Sequence, residues 1–93
     1  MNKVTVIAKA SCLASKSLLS YLEGLSSDCL NLIGVLDEQT SSTKDLYNIL
    51  DSYGVYGFPT IVLHGKKSYD GEDTIISGFT EHTKPIILNH LAC

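Results

Sequence analysis

The chain has 93 residues and a formal net charge of −3, with the composition of an ordinary globular domain and no low-complexity tract. That length holds one compact core, burying roughly 60–65% of the unfolded surface, so residues 1–93 are read as a single domain. The small negative charge, with no lysine stripe beyond Lys66-Lys67, argues against nonspecific nucleic-acid binding. No apolar run approaches the ~18 residues that span a bilayer, so no membrane association is expected.

Residues 4–8 form a near-continuous, β-branched apolar run, as expected of a strand buried on both faces. The run is shorter than the roughly 7–15 residues of a secretion-signal core. Lys9 also stands where a lipoprotein cleavage site before Cys12 would carry an apolar residue. The protein is therefore expected in the cytoplasm, and the odd cysteine set Cys12, Cys29 and Cys93 fits a reducing compartment better than a disulfide framework. After Cys12, residues Leu18, Leu19, Leu22 and Leu25 form the stripe of an amphipathic helix ending near Gly24. Asp28-Cys29 then leads into a second strand over residues 30–36, and 37–42 is a polar loop. Ser42 or Thr43 caps a second helix whose inward face is Leu46, Ile49, Leu50 and Tyr53.

Gly54 and Gly57 lead to Pro59, and residues 60–64 read as a third strand. Turn-formers over 65–73 predict a hairpin to a fourth strand at 74–77. Thr80 or Thr83 caps a last helix that packs Ile87, Leu88 and Leu91 inward, with Pro85 tolerated in its first turn. The order is βαβαββα. It predicts an α/β domain with a four-stranded mixed sheet and helices on both faces.

Two motifs carry chemistry: Cys12-Leu13-Ala14-Ser15 directly after one strand, and Gly57-Phe58-Pro59-Thr60 directly before another. The run from Tyr53 to Leu63, with its Gly54, Gly57, Pro59 and Thr60, is similar to the proline segment of thioredoxins. Gly34-Val35-Leu36-Asp37-Glu38-Gln39 resembles the strand and acidic loop upstream of it, and Gly78-Phe79 the glycine after the last strand. Lys9-Ala10-Ser11-Cys12 matches the Lys-x-x-Cys approach of glutaredoxins. The chain thus resembles the thioredoxin/glutaredoxin superfamily over nearly its whole length, at glutaredoxin size, and the resemblance implies a thioredoxin fold. It departs from thioredoxins where Ser15 replaces the second cysteine, Ser11 the tryptophan, Leu13-Ala14 the Gly-Pro pair, and Val6 a buried acid.

A thiol near pKa ~8.5 is mostly protonated at neutral pH, and the thiolate is the nucleophile. A position at a helix N-terminus offers Cys12 free N–H donors and the positive end of the macrodipole. Lys9 adds a positive charge, and the Ser15 hydroxyl a hydrogen bond. The competing reading of Cys12 is a small buried hydrophobe. A generic X–Pro bond is cis only about 5–6% of the time; the resemblance implies a cis Phe58–Pro59 bond, with the Phe58 backbone turned outward to pair with an extended peptide or with glutathione. Otherwise Pro59 is a trans proline that opens an edge strand.

Cys29 lies beyond the far end of the helix that Cys12 begins, roughly 18 Å away at 1.5 Å per residue, far past the ~7 Å limit of a bridge. It reads as a buried structural cysteine, and Cys93 as part of a free C-terminus. The expected activity is thiol–disulfide exchange: Cys12 attacks a disulfide or glutathionylated thiol of a protein substrate, and an external thiol resolves the mixed disulfide. Glutathione is the abundant candidate co-substrate, and a thioredoxin-reductase-type enzyme the other reductant; no tightly bound cofactor is expected. Ser15 is then either a native monothiol feature or an engineered replacement of a resolving cysteine. The substrate-binding set comprises Lys9, Ser11, Leu13, Phe58, Pro59, Thr60, Gly78, Phe79 and Thr80, with Tyr56 and Phe58 as an apolar wall. Thr80-Glu81 stand where glutaredoxins carry an aspartate for the γ-glutamyl end of glutathione. His64, His82 and His90 lack metal-site spacing and read as exposed polar residues, and Leu13-Ala14 breaks the Cys-Gly-Phe-Ser motif of cluster-binding glutaredoxins. The alternative function is a non-catalytic module that holds a protein partner in the Phe58-Pro59 groove.

Overall fold

The computed structural model describes residues 3–65 and 73–93. Its elements are β1 (Val4–Ile7), α1 (Leu13–Glu23), α2 (Ser27–Leu30), β2 (Ile33–Leu36), α3 (Thr43–Ser52), β3 (Thr60–Leu63), β4 (Thr74–Ser77) and α4 (Thr83–Leu91). The strands form one mixed sheet in the order β2-β1-β3-β4. β1 pairs in parallel with β2 and antiparallel with β3, and β3 pairs antiparallel with β4. The expected hairpin therefore exists as a strand pair; its turn, with Lys66-Lys67, lies outside the described residues.

Side chains alternate across a strand, and β1 uses both faces. Val4, Val6 and Ala8 join Ile61 and Leu63 in one core with Leu18 and Leu22 of α1, Cys29 of α2, and Ile87 and Leu91 of α4. Ile7 points the other way, onto Leu46 and Leu50 of α3. The fold is α/β, with helices on both faces of the sheet. Polar side chains start two of the helices as caps: Ser42 Oγ accepts the Asp45 N–H at 3.1 Å, and Ser26 Oγ the Cys29 N–H at 3.4 Å.

Five sequence expectations are corrected. Residues 27–30 form the short helix α2, so the second strand begins only at Ile33; the Ser26 cap outweighs the apolar pattern that reads as strand. In α4 the inward face is Thr83, Ile87 and Leu91 at i, i+4 and i+8, while Leu88 is 41% exposed. Neither expected threonine occupies the cap position, which is held by His82 without a side-chain bond. Instead Thr83 Oγ1 accepts the Thr80 N–H at 3.2 Å, closing the turn that precedes the helix. His64 and His90 are half-buried and bonded rather than free: His64 Nε2 meets Thr5 Oγ1 at 2.7 Å, and His90 Nε2 lies 2.9 Å from the His64 carbonyl.

The fifth correction concerns the cysteines. Cys29 and Cys93 form a disulfide with Cα atoms 5.4 Å apart, and Cys12 is the free thiol. The α2 turn directs Cys29 into the core, and Ala92, left-handed at φ 52°, ends α4 and brings the last residue back beside it. Lys3 Nζ donates to the Leu91 carbonyl at 3.0 Å and secures the same helix end. The odd cysteine count thus leaves one thiol beside one bridge.

The disulfide closes a sequence separation of 64 residues, so its loss should cost about 4 kcal/mol on the chain-entropy account. In a domain of this size that is a Tm drop of roughly 15–30 °C. Thermal melts of Cys93→Ser, and of the parent protein with and without reductant, check this.

Candidate active site

The approach to Cys12 is a tight turn pinned at three points. The Ala8 N–H donates to the Leu36 carbonyl at 3.0 Å, continuing the sheet by one residue, and the Cys12 N–H donates to the Lys9 carbonyl at 2.9 Å. Between them the Ala10 N–H donates to Glu38 Oε1 at 2.9 Å. This delivers Cys12 to the N-cap of α1 in extended conformation, φ −98°, ψ 127°, with no side-chain cap bond. The first-turn N–H groups have no partner within the helix, and here they gather under the sulfur. The Ser15 backbone N–H is the largest influence holding the Cys12 thiol below its ordinary pKa; partial burial opposes it, and the Ser15 hydroxyl and Ala14 N–H add to the lowering.

Ser15 is wholly buried, and its Oγ accepts the Lys9 N–H at 3.1 Å. A hydroxyl both donates and accepts, so this one side chain ties the incoming turn to the helix while serving the sulfur. Across the cleft the Phe58–Pro59 bond is cis, and the Phe58 carbonyl lies 3.5 Å from Cys12 Sγ. Pro59 is buried and its carbonyl accepts the Gly78 N–H at 2.8 Å. Gly78 has φ +86°, a conformation that favours glycine. Thr60 is buried and its hydroxyl donates to the Gly57 carbonyl at 2.8 Å, so it shapes the loop from beneath.

Lys9 stands on the Phe58 side of the cleft. Its ammonium sits 5.9 Å from the Tyr47 ring centroid and 6.0 Å from that of Phe58, a cation–π arrangement. The two rings meet edge-on, with centroids 5.5 Å apart. The wall beside Phe58 is therefore Tyr47 from α3. Tyr56 is 76% exposed and donates its hydroxyl to Asp51 Oδ1 at 2.8 Å; that hydrogen bond raises the phenol pKa.

The structure thus brings Cys12, Ser15, Phe58, Pro59 and Gly78 together. Leu13, 80% exposed, and the exposed Ser11 flank the thiol on its open side. Phe79 turns away to stack on Tyr21, with centroids 5.7 Å apart, and Thr80 is occupied with Thr83. Sequence reasoning missed Glu38 and Tyr47. The acidic loop and an aromatic on the helix after it were visible, but nothing in the pattern pointed them at Lys9 and Ala10. Among the described residues no three His, Cys, Asp or Glu side chains gather as a metal site, and no described helix is long and apolar enough to cross a membrane. No family model matches the chain, and no curated protein does either.

Because the α1 N–H groups and the Ser15 hydroxyl lower the Cys12 pKa, Ser15→Ala should move the pH midpoint of Cys12 alkylation upward. The rate then falls near neutral pH and converges with that of the parent in alkali, where both thiols are ionised. Lys9→Ala should move the midpoint less, since its ammonium is engaged with the Tyr47 and Phe58 rings. Iodoacetamide rates against pH for the three proteins check both statements.

Proposed function

We propose that this chain is a thiol–disulfide exchange protein with a thioredoxin-type fold and a single nucleophilic thiol, Cys12. The observation that carries the reading is the setting of that thiol: at a helix N-cap, held below its ordinary pKa, with the Phe58 carbonyl 3.5 Å away. The mixed sheet in the order β2-β1-β3-β4 with helices on both faces is compatible with that fold. Leu13, exposed beside the sulfur, suits an extended peptide lying across the thiol.

In the proposed reaction the Cys12 thiolate attacks one sulfur of a substrate disulfide. The Cys12–substrate bond forms as the substrate S–S bond breaks, and the second sulfur leaves as a thiolate. An external thiol, glutathione being the abundant example, then attacks the mixed disulfide and restores Cys12. Ser15 stands one helical turn from the sulfur and has no thiol to offer, and Cys29 and Cys93 are engaged with each other at the far end of α1. The bridge removes the support that the odd cysteine count lent to the cytoplasmic expectation, because such bonds persist where thiols are not kept reduced.

A second reading, a non-catalytic partner-binding module, draws on the exposed apolar surface of Leu13 beside the same cleft. Cys12 reactivity separates the two, since a binding module has no use for a lowered thiol pKa.

Exposure to oxidised glutathione should add one glutathione, mapped by mass spectrometry to Cys12 and persisting until an external thiol is supplied. Ser15→Cys should release it unaided, because side chains three apart at a helix start lie about 5–6 Å apart at Cβ, close enough for local movement to bring the sulfurs together. No adduct on Cys12 would remove the exchange reading. Unaided release from the Ser15 protein would remove the single-thiol mechanism.

A further inference from the structure

An open groove of about 520 Å³ runs between α1 and the start of α4. Its lining approaches the candidate site at Lys16, one helical turn from Cys12, and at Phe79, next to Gly78. One wall is the face of α1 that carries Lys16, Ser20 and Tyr21. The other runs from Phe79 to Glu81 and Lys84, just after Gly78, whose N–H is held by the Pro59 carbonyl. At 1.5 Å per residue, Lys16 lies about 6 Å and Ser20 about 12 Å along the helix from Cys12.

The chemistry of the groove is uneven. Tyr21 and Phe79 stack at 5.7 Å and form an apolar floor. Lys84 is committed: its ammonium bonds Glu81 Oε1 at 2.9 Å and lies 5.3 Å from the Tyr21 centroid. Lys16 makes no ion pair among the described residues, which leaves the groove with an excess positive charge in a chain of net −3. The Tyr21 hydroxyl is buried and finds no hydrogen-bond partner among the described residues. Native structures rarely leave such a group unsatisfied.

We propose that this groove is a carboxylate subsite that takes an acidic side chain of the disulfide substrate, two to four residues from the cysteine that Cys12 attacks. The inference rests on the exchange reading above and names its substrate class. An extended peptide advances about 3.3–3.6 Å per residue, so two to four residues cover the stretch from the thiol to Lys16 and Ser20. The aliphatic stem of Glu or Asp lies on the Tyr21–Phe79 floor. Its carboxylate meets the exposed Lys16 ammonium.

The test uses hexapeptides with one cysteine as its thionitrobenzoate mixed disulfide and Glu, Gln or Lys three residues away. Attack by Cys12 on the peptide sulfur forms the Cys12–peptide disulfide and expels the coloured thiolate, whose release gives the rate. The Glu peptide should react about two- to fivefold faster than the Gln peptide, the range of a solvent-exposed ion pair, and the Lys peptide slowest. Lys16→Glu should bring the Glu:Gln ratio to one or below, and added salt should shrink it in the parent. A Glu:Gln ratio of one in the parent, or a ratio unchanged by Lys16→Glu, overturns the subsite while leaving exchange intact. Failure to release the coloured thiolate from any peptide, the Gln one included, overturns the exchange reading itself.

Discussion

The burial of β1 on both faces is the constraint on which the rest of the structure depends. Its alternate residues, Val4, Val6 and Ala8 against Ile7, are shared between the α1–α4 core and the α3 core. It also pairs with a strand on each side, β2 and β3. An apolar side chain of this kind contributes about 1.5–3 kcal/mol when fully buried, so a polar substitution in β1 weakens two layers at once. Both edges of the candidate cleft are fastened to this strand. The Cys12 turn leaves its end through Ala8, and Thr60, which follows Pro59, pairs with Ile7.

The cleft needs little apparatus beyond that frame. The sulfur sits where a helix start leaves its N–H groups unpaired, and backbone geometry supplies most of what lowers its pKa. Buried Ser15 connects the turn to the helix, Glu38 holds the turn from the β2 side, and the Pro59–Gly78 bond ties the opposite wall to β4. Lys9 serves as a strut between α3 and the Phe58 loop, in contact with both rings. An ammonium over two aromatic faces keeps that side of the cleft in one arrangement, which under the proposed reading helps a substrate disulfide align with Cys12.

The disulfide and the thiol occupy opposite ends of α1, and their separation suits different tasks. Cys29 and Cys93 bind α2 to the end of α4 where Lys3 also fastens the Leu91 carbonyl. In a chain of 93 residues one core supplies limited stability, and a bridge across a long loop restricts the unfolded chain most. The exposed Leu13 and the groove along Lys16 lie at the other end, where the chain meets its substrate under the proposed reading.

The sequence by itself determined the four strands and the three longer helices, because each is written in local terms: β-branched runs, leucines at helical spacing, a serine cap; that Pro59 faces Cys12 was implied by the resemblance and by no local term. The buried residues Leu18, Leu22, Leu46, Leu50, Ile87 and Leu91 all lie on the apolar stripes that period marks out. Tertiary structure decided what depends on residues far apart in the chain. Cys29 and Cys93 are 64 positions apart, and neither spacing nor count reveals that α2 and the left-handed turn at Ala92 bring them together. Lys9 reads as a neighbour of Cys12 because it is near in sequence, yet its ammonium reaches Tyr47 and Phe58, which the fold carries to it. Leu88 looks like core until helix rotation, set by Thr83, Ile87 and Leu91 against the sheet, turns it outward. Periodicity reports which residues share a face; only packing decides which face is inside and which distant side chain meets it.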